Sequence, residues 1–308
     1  MKFVSVVIPC HNEEAGIMKT HVRVREVFER SNLHSELIFV NDGSTDQTGE
    51  ILDNLPNSEK TNVVILHFSK NFGHSAAVLA GIKISQGSVV AIIDADLQDP
   101  PELLPEMIAK LDSGYDIVYG KRMQRKSETW MKRSTAWLFY RILRFLTDVD
   151  IPADTGDFRV MTREVADVIR DQIHEQDPFL RGLVAWVGFR QIPFEYIREP
   201  RIDGETKYTF KKMLRFALTG ILGFSNAPLY LAAYASLFFF ALSLFSVFYL
   251  IYLKYNAFTV PGWVSMMVLF SIFGAVQFLF LGIAGVYIAR INKQVTGRPL
   301  FIVKKKSS

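Results

Sequence analysis

The chain has 308 residues, 49% of them hydrophobic, and a formal net charge of +4, a length that suits one large or two modest domains. Its one cysteine, Cys10, excludes an intrachain disulfide and a multi-cysteine zinc site and, following an apolar run, reads as a small core residue. The weak positive charge suits an anionic membrane surface or nucleic acid, and the placement of the charges has to decide between them. Met1 to Glu14 does not read as a secretion signal, because the apolar run is short, ends at Pro9 and leads into acids. Phe3–Ile8 predicts a first strand, and Glu13–Arg30 a helix with Ile17, Val24, Val27 and Phe28 near one face. Glu36–Val40 is a second strand, followed by the turn Asn41–Asp46, where Ser44, Thr45 or Asp46 can cap a helix running to Leu55. A strand over Val63–His67, a helix over Phe72–Ser85, a strand over Val89–Ile93, a helix over Glu102–Leu111 and a strand over Asp116–Gly120 follow. This alternation implies right-handed crossovers and a mostly parallel sheet. Ligands of such sheets gather at the carboxyl ends of the strands, and the polar clusters Cys10–Glu14, Asn41–Asp46, Asp94–Asp99 and Gly120–Arg122 fall there.

The pattern then changes. Trp130–Phe145 is aromatic, amphipathic and basic, which fits a helix lying in a membrane interface or one packed on the sheet. Phe210–Phe224 has similar character and is read as interfacial. Phe216–Leu253 and Tyr255–Ala289 contain no charged residue, and each exceeds the roughly 20 residues that a spanning helix needs. Spans are expected near Leu229–Leu253 and Val264–Ala289, with Tyr252, Tyr255 and Trp263 at the outer interface. Lys207, Lys211, Lys212 and Arg215 precede them, and Arg290, Lys293, Arg298 and Lys304–Lys306 follow. The positive-inside rule then places the N-terminal domain and both termini in the cytoplasm of a multi-pass inner (plasma) membrane protein. The division expected is a domain over 1–208, an amphipathic stretch near 130–147, an interfacial helix over 209–226, two spans within 227–289 and a basic tail over 290–308. The tail lysines are expected to be disordered and close to anionic headgroups.

The densest chemistry lies in Val89–Glu102, where an apolar run ends in Asp94, Asp96 and Asp99 and then Pro100-Pro101. Asp94 and Asp96 stand two apart, so an extended chain points them the same way. Adjacent carboxylates repel unless a cation lies between them, and a hard divalent ion shared with a substrate phosphate is the natural occupant. Pro101 can open the next helix at its first turn. A solvated acidic turn is the plain alternative for these residues taken alone.

Ser5–Glu14 (SVVIPCHNEE), Val40–Asp46 (VNDGSTD) and Asp94–Glu102 (DADLQDPPE), with Lys70–Gly73, Asp154–Arg159 and Arg201–Tyr208, resemble the inverting family 2 glycosyltransferases. With the two expected spans the chain is similar to polyprenyl-phosphate glycosyltransferases, near dolichol-phosphate mannose synthases and bactoprenol glucosyltransferases. The resemblance implies an α/β, glycosyltransferase A-type fold. It implies transfer of a sugar from a nucleotide-sugar, UDP-glucose foremost, to polyprenyl (undecaprenyl) phosphate with Mg²⁺ or Mn²⁺. It also implies the site residues. Pro9, His11 and Glu13 border the nucleoside, although the family often has Tyr where His11 stands. Asp42 contacts the base. Asp94, Asp96 and Gln98 hold metal and diphosphate, Arg122 and Arg133 lie near the lipid phosphate, and Arg201 and Lys207 belong to a loop that closes on the phosphates. Asp157 occupies the position usually proposed as base. The acceptor is a phosphate monoester, largely ionised at neutral pH because its second pKa is about 6, so orienting donor or acceptor is the preferred role of Asp157.

Each residue has a plainer reading. Asp42 can bracket a turn with Gly43, Glu13 can favour a helix N-terminus, Arg122 and Arg133 can be solvated charges, and Asp157 can pair with Arg159. His67 and His74 are expected to be structural. A processive polysaccharide synthase is a rival, but the chain has no Gln-x-x-Arg-Trp signature and too few spans. A non-catalytic nucleotide-sugar-binding partner of a flippase is a second rival, opposed by the intact acids. Nucleic-acid binding ranks last, since the positive charges flank the spans and the phosphate site. A homo-oligomer, a flippase and a downstream transferase acting on a cell-envelope glycan are the further partners that the resemblance implies.

Overall fold

The computed structural model describes residues 2–31, 33–123, 155–198, 225–256 and 262–307. The stretches expected to lie in the interface, at 130–147 and 210–224, are outside these residues, as are Arg133, Arg201 and Lys207. The described residues fall into two compact units, an α/β unit that includes the C-terminal segment from Pro299 and a helical unit.

The α/β unit runs β1 (Phe3–Cys10), α1 (Ile17–Arg30), β2 (His34–Asn41), α2 (Thr48–Asp53), β3 (Thr61–Phe68), α3 (His74–Ile84) and β4 (Val89–Ile92). A 3₁₀ turn over Pro101–Leu103, opened by Pro101 as expected, leads into α4 (Leu104–Leu111), and β5 (Ile117–Arg122) follows. After the undescribed stretch come β6 (Thr155–Thr162), α5 (Arg163–Gln172), α6 (Leu180–Trp186) and β7 (Gln191–Tyr196). The last strand, β8 (Val303–Ser307), follows the helical unit. The eight strands form one sheet in the order β7-β5-β6-β4-β1-β2-β3-β8.

Both faces of the sheet are covered, which is why β1, β2 and β4 read as nearly continuous apolar runs rather than as alternating ones. Val4, Val6 and Ile8 of β1 face one core with Ile17, Val24 and Phe28 of α1, Leu52 of α2 and Leu104 and Ile108 of α4. Val7 faces the other, with Ala77, Val78 and Ile82 of α3, Val165 and Ile169 of α5 and Leu180 and Val184 of α6. A Cβ at Gly81 would stand 2.3 Å from Val7 Cγ1, so this glycine lets α3 press directly on β1.

The sheet is more mixed than the sequence pattern predicts. β1 pairs in parallel with β2 and β4, β2 with β3, and β5 with β7. β6, by contrast, runs antiparallel between β4 and β5. β8 is a second departure. Lys304–Lys306 are not a disordered tail, because the segment pairs antiparallel with the edge of β3, in the register His67↔Lys305 and Leu66↔Lys306. Phe301 stacks on Phe68 with ring centroids 5.0 Å apart, and Ser69 N donates to Ile302 O at 3.0 Å.

The helical unit contains α7 (Ala227–Tyr255) and α8 (Trp263–Thr296), of 29 and 34 residues. The apolar windows Ala227–Ser246 and Ile272–Thr296 are long enough to cross a membrane, and neither is buried within the protein. Tyr230, Leu237, Phe238, Phe245, Phe270 and Phe278 are all exposed.

Candidate active site

The site forms where β1, β2, β3 and β4 end. Two loops are stitched together there. Asn12 N donates to Ser44 Oγ at 3.0 Å, Thr45 N to Asn12 Oδ1 at 2.9 Å, and Glu13 N to Thr48 Oγ1 at 2.9 Å. Asn12 takes a positive φ of 56° to do so, a conformation that asparagine tolerates better than most residues. Pro9 is buried in β1 opposite Val40. His11 Nδ1 donates to the carbonyl of Asp42 at 2.9 Å. Asp46 Oδ1 accepts from Thr48 N at 3.0 Å, but none of Ser44, Thr45 and Asp46 is the helix cap: the N-cap of α2 is Gln47, with no side-chain cap.

The Asp42 carboxylate is buried and already engaged. Its two oxygens accept the N–H groups of Phe72 and Gly73 at 2.6 and 3.0 Å, tying the loop after β3 to that after β2. Each oxygen keeps a second lone pair for a ligand. Gly43 is required beside it, because φ is +61° and a Cβ would stand 2.3 Å from the backbone carbon of Lys70.

After β4 the chain turns instead of staying extended. The strand stops at Ile92, residues 95–96 form a turn, and Leu97 adopts a φ of 52°. A left-handed, buried leucine is strained backbone, of the kind that concentrates at functional sites. Asp94 and Asp96 therefore meet through a turn, not through strand alternation as the spacing predicts. Asp96 Oδ1 accepts from Gln98 N at 3.2 Å, and Arg198 Nη2 stands 3.9 Å from Asp96 Oδ2. Asp94 Oδ1 is buried with no hydrogen-bond partner. Burial and the neighbouring charges of Asp157, Asp99 and Asp96 push the Asp94 carboxyl upward, against the opposing charge of His74. A buried carboxylate oxygen without a partner beside a second carboxylate fits a hard divalent cation. Among the described residues no cluster of three or more metal-binding side chains forms, so the fit is to Asp94 and Asp96, with Gln98 adjacent and oxygens of a phosphorylated substrate completing the sphere.

β6 brings the third acid. Because it runs opposite to β4, its first residues lie at the carboxyl end of β4, which places Asp157 near Asp94. Three cations surround Asp157. His74 Nε2 donates to Oδ2 at 3.1 Å, Arg181 donates to Oδ1 and Oδ2 at 3.2 and 3.3 Å, and Arg159 Nη2 stands 3.7 Å from Oδ1. Burial opposes charge on Asp157, yet Arg181, His74 and Arg159 hold it well below the usual carboxylate range. His74 lies only 3.7 Å from Asp94 Oδ1 as well. Partial desolvation would lower the pKa of this imidazole, whose side chain is 44% exposed, but the hydrogen bond to Asp157 and the charges of Asp94 and Asp157 hold it at about 9. Thus His74, which the sequence reading takes as structural, bridges Asp157 and Asp94. The expected Asp157–Arg159 pair is present, but as one contact of several.

A second hub surrounds Asp99, which is fully buried. It accepts from Tyr196 Oη and, at 3.1 Å, from Arg198 Nε, and Arg122 Nη2 stands 3.7 Å from its Oδ2. A Cβ at Gly156 would stand 2.4 Å from Arg122 Nη2, so Gly156 makes room for that guanidinium. Of the residues predicted from sequence, the structure brings together Pro9, His11, Glu13 and Asp42 on one side of the rim and Asp94, Asp96, Gln98, Arg122 and Asp157 on the other. Sequence reasoning missed His74, Asp99, Arg181, Tyr196 and Arg198. His74 directly follows the quoted Lys70–Gly73 motif and Asp99 lies within another, whereas Arg181, Tyr196 and Arg198 carry no local signal.

Comparison with known proteins agrees with this geometry. Residues 5–170 match the family described as Glycosyl transferase family 2. The chain is 47% identical to the uncharacterized glycosyltransferase YkcC of Bacillus subtilis, over 98% of this chain and 93% of that one. It is 42% identical to the uncharacterized glycosyltransferase sll0501 of Synechocystis, over 97% and 94%. It is 37% identical to a prophage-derived bactoprenol glucosyl transferase of Shigella flexneri, over 98% and 97%. By these matches, and with Asp42, Asp94, Asp96 and Asp157 gathered at the strand ends of a mixed glycosyltransferase A-type sheet, the chain belongs to glycosyl transferase family 2.

Proposed function

We propose that this glycosyltransferase moves a sugar, glucose from UDP-glucose in the first instance, onto undecaprenyl phosphate at the cytoplasmic face of a membrane, with inversion at the anomeric carbon. The relatives named bactoprenol glucosyl transferases, which align over nearly the whole chain, support the acceptor. The observation that carries the chemistry is the buried Asp94 Oδ1, which has no hydrogen-bond partner and feels the charge of Asp96 beside it.

Asp94 and Asp96, with Gln98, would hold Mg²⁺ or Mn²⁺ against the donor diphosphate. When bound, that ion stabilises as a Lewis acid the charge that grows on the leaving nucleoside diphosphate. Arg198 and Arg122, oriented by Asp99, supply fixed positive charge to phosphate oxygens in the same cleft. Pro9, His11, Glu13 and Asp42 form the nucleoside side, and Arg133, Arg201 and Lys207 are assigned to the phosphates by the family pattern alone. Asp157 is assigned to orienting reactants in preference to acting as a general base. A general base works best with a pKa near the operating pH, and Asp157 lies far below that under the hold of Arg181, His74 and Arg159. The acceptor phosphate is already largely ionised at neutral pH, so a base is less necessary. The proposed organisation keeps the catalytic domain at 1–208, an interfacial helix at 209–226, paired spans within 227–289, and both termini in the cytoplasm. A homo-oligomer, a flippase and a downstream envelope transferase are its proposed partners.

The test is transfer of label from UDP-glucose, UDP-N-acetylglucosamine and GDP-mannose to undecaprenyl phosphate in membranes, with and without EDTA. Chelator-sensitive lipid label from UDP-glucose, abolished by Asp96→Ala, is expected. Label that persists with Asp96→Ala and excess metal would refute the metal assignment, and label from another donor alone would refute the sugar.

A further inference from the structure

A chain of hydrogen bonds runs from β8 to the loop that carries Asp42. It begins at Lys305 on β8, whose Nζ donates to Asp53 Oδ2 at 2.8 Å, beside Ser307 Oγ at 3.3 Å from Asp53 Oδ1. Asp53 ends α2. Its Oδ1 also lies 3.2 Å from His67 Nε2, and His67 Nδ1 lies 3.1 Å from Asn41 Nδ2. Asn41 Oδ1 accepts the N–H of Ser44 at 3.0 Å, and Ser44 Oγ accepts the N–H of Asn12.

The donors and acceptors fall into one consistent order. The Asn41 amide can only donate to His67 Nδ1 if its oxygen takes Ser44 N–H. His67 is then the Nε2–H tautomer, which donates to Asp53. Strand geometry explains why the tail reaches this chain. Lys305 is directly opposite His67 in the antiparallel pairing, so both side chains stand on the same face of the sheet. That is the face of Val63 and Ile65, where α2 packs through Leu52. The register shift between His67 and Phe68 sets Lys304 out of alternation and leaves Lys305 aligned with His67. Gly49 lets the pair sit against α2, because a Cβ there would stand 3.1 Å from Asn41 Nδ2.

We propose that β8 sets the donor-nucleotide loop, with Lys305, Asp53 and His67 as positioning residues that act on Asn41–Ser44 and through them on the Asp42 side of the cleft. None of the three touches the reacting atoms. The proposal rests on the reading of Asn41–Asp46 as the nucleoside-binding loop. A chain of this kind tunes coupling by amounts that correspond to roughly a few-fold change in affinity.

The test uses the full-length protein in detergent, with His67→Ala, Lys305→Ala and Lys305→Arg. Three quantities are read for each: affinity for UDP and for GDP with Mg²⁺ by calorimetry, KM and kcat for the nucleotide-sugar, and hydrogen exchange over residues 41–48. His67→Ala and Lys305→Ala are expected to weaken nucleotide binding and raise KM about fivefold, with kcat within about twofold, and to speed exchange in the loop. Lys305→Arg is expected to restore all three. Variants that lower the melting temperature but bind nucleotide like the parent overturn the proposal and leave β8 a purely structural edge. A parent protein that binds neither nucleotide overturns the donor-loop reading itself, and this proposal with it.

Discussion

His74 shows how a single side chain settles an acidic cleft. It opens α3, faces Asp157 at 3.1 Å and Asp94 at 3.7 Å, and as an imidazolium it offsets the mutual repulsion of those acids in the metal-free protein. Its pKa is raised from 6.5 to about 9. A raised pKa means that the folded state binds the proton more tightly than the unfolded one. The stabilisation is therefore fully present below pH 6.5 and is lost as pH rises through about 9. Metal-free protein is expected to show a melting temperature that falls between these limits, and His74→Gln is expected to flatten that fall. A parent and variant with parallel pH profiles would show that the pair contributes nothing. This residue was illegible in the sequence because a histidine after a glycine turn has no local mark of its partners. Asp157 lies 83 positions away along the chain.

At the scale of elements, α3 presses directly on β1 because residue 81 is a glycine. Gly81→Ala forces a methyl group into Val7 Cγ1, 2.3 Å away, and a β-branched residue held in a central strand has little room to yield. Overpacking of this kind costs about 1–3 kcal/mol. Urea unfolding of the variant is expected to show a lower midpoint with an unchanged slope, and an unaltered midpoint would mean that α3 slides without cost. The strands through Gly120 were legible because they are short apolar runs bounded by polar turns, and those turns carry Asp42, Asp94 and Asp96. β6 was not, since Thr155–Thr162 (TGDFRVMT) is a central strand whose start lines the cleft, so that chemistry replaces hydrophobic pattern. Nor was β8, because Val-Lys-Lys-Lys-Ser has a composition that suits an exposed edge, where lysine is a normal guard against further pairing. The turn at Leu97 was likewise hidden, since a positive φ is unexpected for leucine.

For the whole molecule, α7 and α8 place many large apolar side chains on the surface, among them Phe238, Phe245, Phe270 and Phe278. A contiguous apolar surface of that extent marks a membrane or partner contact, and both helices are long enough to span. The protein is expected to stay in the pellet when membranes are washed with alkaline carbonate, and release into the supernatant would contradict integration. The pairing of β8 with β3 adds a parity rule. Hydrogen-bonded strands of one sheet must lie in one compartment, because backbone groups do not pair across a bilayer. Strands from both sides of the helical unit in the chain, β1–β7 before it and β8 after it, belong to that one sheet. The chain between β7 and β8 therefore crosses any membrane an even number of times. A compartment-sensitive reporter fused after Ser308 must give the same reading as one inserted in a surface loop of the α/β unit, whichever side of the membrane that unit occupies.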